Sequence, residues 1–172
     1  MGIARLSQTK VSVNLGFLSI DTTWQVDELQ KKAAWEMYVE LATRITTAPL
    51  KAEEGLLREA LSSLYSLFGT TREILKKYGP EIASPASPKD TTFGHLAVAI
   101  LNKVLRPLLA KWHPRLTDWE ARKAPDQSST EHELAWEHNA ALRADLRIVQ
   151  ARLLEYADVL AEVSGVAKLV GP

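Results

Sequence analysis

The amino-acid sequence predicts an all-α protein: an antiparallel four-helix bundle with a short extended segment at its N-terminus. Three observations carry this. Leu142, Leu146, Val149, Leu153, Tyr156, Leu160 and Val163 follow alternating steps of four and three, which is a heptad seam. Leu57, Leu61, Leu64, Phe68, Thr71, Leu75 and Tyr78 repeat those steps. The proline-rich "GPEIASPASPKDT" and the polar "KAPDQSS" separate such segments as connectors do. With 172 residues, 46% of them hydrophobic, the chain can bury one substantial core, so a single domain over residues 1–172 is expected.

Residues 1–23 form the extended segment. In "KVSVNLGFLSI" the apolar Val11, Val13, Leu15 and Phe17 alternate with Ser12, Asn14 and Gly16, a period of two with a β-branched bias. A strand needs a neighbour for its backbone groups, and no later stretch reads as a clear second strand. The segment is therefore expected either to lie as a strap on the helices or to pair outside its own chain. The outside partner would be a second copy or another protein's sheet edge, with Val11, Val13, Leu15 and Phe17 as the binding residues.

The first helix is predicted over residues 24–46, with Ala34, Met37, Leu41 and Ile45 on one face and Trp35 and Val39 beside them. The second spans 52–78. Its seam is backed by Arg58, Ser62, Arg72 and Lys76 on the other face, and Gly79-Pro80 ends it. The third, 92–112, is apolar nearly all round, which marks it as the most buried. The fourth, 130–164, has Ser128, Ser129 and Thr130 as N-caps, Glu131 and Glu133 placed for a capping box, and Gly165 as its stop.

Bulk composition narrows the function. Lys+Arg and Asp+Glu both total 21, and a zero net charge argues against a dedicated DNA-binding protein. The absence of cysteine removes disulfides, thiol catalysis and cysteine-ligated zinc, and it fits the cytoplasm, the predicted location. "MGIARLSQTK" lacks the apolar core of a signal peptide, and Leu6 stands where myristoylation requires Ser or Thr. The most apolar stretch, Phe93 to Leu109, is broken by His95, Asn102, Lys103 and Arg106, so no membrane span is expected.

The third helix raises the sharpest chemical question, in "NKVLRPLLAKWHPRL". His95, Asn102, Arg106 and His113 recur at intervals of seven, four and seven, so they share one narrow stripe. Arg106-x6-His113 resembles the R-x(4–6)-H motif of HEPN ribonucleases, which are all-helical, usually dimeric proteins of toxin–antitoxin and defence systems. That resemblance implies metal-independent RNA cleavage. His113 would manage protons and Arg106 would stabilise the developing phosphorane charge, with Asn102 and His95 on the same stripe. The chain departs from the family pattern at Pro107, where a polar residue is common. The competing reading is structural: Arg106 snorkels to the surface, His113 sits at the helix C-terminus, and Pro114 starts the next segment.

A second cluster, "TEHELAWEH", holds His132, Glu133, Glu137 and His138. A zinc protease would need a second histidine where Trp136 stands, and Glu-x-x-His pairs on two helices are absent, so no metal or cofactor is expected. Of the five tryptophans, Trp35, Trp112 and Trp136 are expected in the core, and Trp119 is a partly exposed contact candidate.

Taken in order, "AAWEMYVELATRI", "GLLREALSSLYSLFGTTREILKKYGP" and "LAVAILNKVLRPLLAKWHPRLTDWE" resemble small stand-alone helical proteins of bacterial conflict or defence gene clusters. This resemblance covers most of the chain and implies a protein that works with partners encoded nearby. The expected function is a non-enzymatic interaction or regulatory subunit, bound to a protein partner or to a second copy. The alternatives are a HEPN-like ribonuclease acting through Arg106 and His113, and a nucleic-acid-binding accessory subunit.

Overall fold

The period-two alternation near the N-terminus does form a strand, and that strand finds its partner within the chain. In the computed structural model, which describes residues 9–44 and 54–170, β1 (Thr9–Leu15) pairs antiparallel with β2 (Ile20–Val26) from Leu15↔Ile20 to Thr9↔Val26. A 3-10 turn at Gly16–Leu18 reverses the chain, and Ser19 takes the left-handed conformation at φ 56°. The two-residue β3 (Asp90–Thr91) joins β2 in parallel, through Thr23↔Asp90 and Trp24↔Thr91. The sheet order is β1-β2-β3. This overturns the all-α four-helix bundle: the described residues form five helices and a three-stranded mixed sheet. Val11, Val13, Leu15, Trp24 and Val26 are buried, so one face of the sheet is core.

Some expected helix boundaries shift and others hold. The first helix begins at Glu28, not at residue 24, because Trp24 to Val26 complete β2. α1 (Glu28–Ala42) starts where the Asp27 side chain accepts the Gln30 N–H at 2.8 Å. Gln30 itself is buried. Its side-chain oxygen accepts from the Trp24 indole N–H at 2.5 Å and the Phe93 backbone N–H at 3.1 Å, so one amide joins β2, α1 and the next-but-one helix. α2 (Leu57–Tyr78) ends as expected at Gly79, φ 79°, followed by Pro80. The proline-rich connector is not a free flap. Pro80–Ala83 form a 3-10 turn that buries Ile82, and the stretch then supplies β3. That turn lies hard against Gly94, where a Cβ would stand 2.7 Å from the Ala83 Cβ.

α3 (Phe93–Glu120) runs eight residues beyond the expected end at 112. It contains a π turn at Ile100–Leu105, after which the Arg106 N–H bonds to the Leu101 carbonyl. The wide turn sits directly before Pro107, which has no N–H to continue the ladder. Pro114 lies inside the helix and begins nothing new. The carbonyl it deprives belongs to exposed Ala110, within reach of water. By length and composition α3 could cross a membrane, yet more than half of its apolar stretch is buried in this fold, as in a core helix.

The expected fourth helix is two. α4 (Ser129–Leu134) carries a full capping box between Ser128 and Glu131. The chain then leaves the helix at Ala135 to His138, burying Trp136, and re-enters as α5 (Asn139–Ser164), which stops at Gly165, φ 71°. α1 packs against α5 on one side and α2 on the other. Trp112 and Trp136 are buried as expected, whereas Trp35 is 43% exposed, contrary to expectation. Residues 1–8, 45–46 and 52–53, which the expected N-terminal segment and first two helices include, lie outside the described residues.

Candidate functional site

α3 buries Leu96, Ile100, Val104, Leu105, Leu108 and Trp112, which turns its remaining stripe outward: His95, Val98, Asn102, Arg106, Ala110 and His113. α2 answers with Tyr65, Phe68, Arg72, Leu75 and Lys76, spaced by three and four and therefore also on one face. The two stripes flank two separate cavities, one toward each end of the α2–α3 seam, which together make up the α2–α3 groove. One, about 420 Å³, lies among Tyr65, Phe68, Arg72, Arg106, His113 and Pro114. The other, about 590 Å³, is bounded by Leu75, Lys76, Pro80, Ala83, His95 and Val98. Tyr65 is 63% exposed and Val98 42%, so apolar surface is open at each end.

The structure thus brings Arg106 and His113 to one cavity, with Asn102 beside Arg106 and His95 at the far end. Their surroundings differ. Arg106 is exposed; its Nε donates to the Asn102 side-chain oxygen at 3.1 Å, and its guanidinium stands 5.4 Å from the Phe68 ring centre. His113 is sealed. An Arg58 guanidinium N–H meets its Nδ1 at 3.1 Å, and since arginine can only donate, Nδ1 accepts and the ring proton sits on Nε2. Nε2 is buried without a hydrogen bond of normal geometry, and the Tyr65 ring meets the imidazole edge-on at 5.7 Å. Burial first, and the Arg58 charge second, hold His113 below the usual histidine pKa.

Arg58 is itself fixed. Its Nε and Nη2 grip the Glu120 carboxylate at 2.8 and 2.6 Å, and Nη2 also donates to the Thr117 hydroxyl. Neither nitrogen of His113 is therefore offered to a substrate in this arrangement, and a proton-transfer role requires at least one. Among the described residues Arg72, Lys76 and Arg106 have no carboxylate partner, and no Asp or Glu lines either cavity. Some cations elsewhere are matched, Arg44 with Glu40, Lys77 with Glu36 and Lys111 with Asp145, while others among the described residues, such as Lys103, Arg147 and Arg152, also stand without a carboxylate.

The "TEHELAWEH" residues are internal fittings. His132 stacks on Trp119 with ring centres 4.5 Å apart and planes 11° apart. Its Nε2 donates to the Trp119 carbonyl at 2.7 Å, and the Trp119 indole N–H returns a bond to the His132 carbonyl at 2.8 Å. Glu133, 5% exposed, accepts the Leu57 and Arg58 backbone N–H groups at 2.8 and 3.3 Å and so caps α2 from another part of the chain. Trp119, expected as a contact candidate, is half-buried and spent in this cluster.

The residues expected to bind a partner through the N-terminal strand sit elsewhere than a free strand would put them. Val11, Val13 and Leu15 are in the core, and half-buried Phe17 lies 5.7 Å beneath the Arg152 guanidinium. Sequence reasoning missed Tyr65, Arg72 and Lys76 as groove residues, although their spacing with Phe68 matches the α3 stripe. It also missed Arg58, 55 residues from His113, for which no sequence signal exists. Comparison with family models, with curated proteins and with solved structures finds no match for this chain.

Proposed function

We propose that the protein is a non-enzymatic, cytoplasmic interaction subunit that receives a segment of a partner protein in the α2–α3 groove, as a component of a bacterial defence-type system. One observation carries this reading. The two cavities of the groove keep three cations without internal counter-ions beside apolar side chains, while His113, the histidine that shares a cavity with Arg106, is engaged by Arg58. Leaving charges unmatched costs little in water, and it presents a surface that another molecule can complete.

The test is co-purification from the native host with tagged wild-type chain and with an Arg72→Glu/Arg106→Glu variant. The expected result is a partner that is lost with the variant while the circular dichroism spectrum stays unchanged. A partner retained by the variant would move the interface to another surface, the outer edge of β1 being the next in line. Metal-free cleavage of structured RNA that disappears in both Arg106→Ala and His113→Ala would replace the reading with the ribonuclease one.

A further inference from the structure

We infer that the occupant of the groove is an acidic amphipathic helix of a partner protein, about four turns long. This rests on the reading of the groove as the working surface and names what fills it.

Length comes first. From Tyr65 to Gly79 the α2 wall is 15 residues, or 14 steps, which at helical rise is about 21 Å. A helix of about 14 to 16 residues matches it. The distribution of chemistry along the wall comes next. The apolar ends, around Phe68 and around Leu75 with Val98, are separated by about two turns, and Arg72, Lys76 and Arg106 lie between them or at their rims. A complementary ligand carries apolar anchors two turns apart and carboxylates beside them.

The backbone decides between helix and strand. Both walls are helices whose N–H and C=O groups are bonded internally apart from isolated carbonyls that Pro107 and Pro114 leave, such as that of Ala110, so the groove offers no row of free groups, and hence no edge, to an extended peptide. A strand laid there would bury its own polar backbone against Leu75, Phe68 and Val98 without partners. A helix satisfies its backbone internally and presents only side chains. Charge decides between protein and nucleic acid. Three lining cations in a chain of zero net charge are few for a polyphosphate, and the apolar ends have no use for one. They suit a few carboxylates flanking leucine-like anchors.

The experiment uses the full chain and a fluorescent synthetic helix of about 16 residues, with leucines at the anchor spacing and glutamates beside them. A lysine-for-glutamate copy and a single-stranded RNA of similar length complete the set. The expected result is salt-sensitive anisotropy binding of the acidic helix, weaker by at least about tenfold for the lysine copy. The preference reverses in Arg72→Glu/Arg106→Glu, a swap that a merely structural role for the arginines would not produce. Equal binding of the two helices, no binding of the acidic one, or stronger binding of the RNA would each overturn the inference. If the acidic helix fails while the native partner is still lost with the variant, the groove stands as the interface and only its occupant is wrong. If the partner is also retained, both readings fall.

Discussion

Two clusters of polar residues, both conspicuous in the sequence, have opposite fates in the fold. At the α4 corner, His132 and Glu133 are 5% exposed, and their side-chain polar atoms are taken up by Trp119, Gln127 and the first turn of α2. In the α2–α3 groove, Arg72, Lys76 and Arg106 face outward with no carboxylate to answer them. The contrast teaches that the type and spacing of polar residues do not reveal a role. Where their partners come from does. A cluster completed from within stabilises, and one left incomplete is available to something else.

The largest effect that could break this comparison is at Glu133. Replacing it with alanine leaves the buried Leu57 N–H and the part-buried Arg58 N–H at the start of α2 without an acceptor. Unsatisfied buried donors cost about 1–3 kcal/mol each, so a loss of about 3 kcal/mol is expected. For a domain of this size that lowers Tm by about 6–12 °C, readable by calorimetry. Glu133→Gln keeps one acceptor oxygen and should lose about half as much. A loss below about 1 kcal/mol for the alanine would mean that water reaches the end of α2 and that the corner is not sealed.

The same contrast explains what was legible in the sequence. The seams of α2 and α5 were read because one periodicity spans many turns, and their apolar residues are buried accordingly. β2 was not, although Ile20, Thr22, Trp24 and Val26 alternate in "IDTTWQV". The turn at Gly16–Ser19 carries no Asn-Gly or Asp-Gly signature, and the expected first helix, starting at residue 24, absorbed the end of the strand, Trp24 to Val26. β3 is too short to have a period. The break between α4 and α5 contains neither Gly nor Pro and is held by tertiary contacts, such as the Asn139 amide donating to the Glu133 carbonyl at 2.8 Å. For the site, the α3 stripe was visible because it lies on one helix. The α2 half depended on how two helices are rotated against each other, which no single periodicity states.

A smaller test sharpens the sealed side. Trp119→Phe keeps the stack on His132 but removes the indole N–H that bonds the His132 carbonyl. A cost of about 1 kcal/mol is expected, or about 2–4 °C in Tm. A neutral result would show that another donor reaches that carbonyl.

His113 stands between the two clusters, inside the groove wall yet sealed, and its titration measures which side it belongs to. The groups facing it are the Arg58 guanidinium, the Leu61 backbone carbonyl, the Glu120 carboxylate that holds Arg58, and the Tyr65 ring. Its folded pKa lies below the ordinary value of about 6.5. Above that value neither folded nor unfolded chain carries the proton, and the full stability is present. As pH falls below about 6.5 the unfolded chain takes the proton first, so stability declines until the folded pKa is passed and then levels. Denaturant unfolding between pH 7.5 and 5.5 should show this decline in wild type and a shallower one in His113→Gln, whose amide oxygen can still accept from Arg58. Parallel slopes would place the histidine with the open cluster.

The smallest expected effect is the one that most directly separates the two regions. Arg72→Ala and Arg106→Ala remove charges that answer nothing inside the molecule. Arg106 loses one hydrogen bond to exposed Asn102 and a cation–π contact with Phe68 worth about 0.5–1 kcal/mol at an exposed site. Against this, two like charges on one cavity repel each other, and removing either relieves the other. The net change in unfolding free energy for each variant should stay within about 0.5 kcal/mol, the range of ordinary surface substitutions. A loss approaching that of Glu133→Ala would show that the arginines are satisfied from within, and the distinction between a closed corner and an open groove would collapse. A stability unchanged beside a partner lost is the result that an interface, and not a fitting, must give.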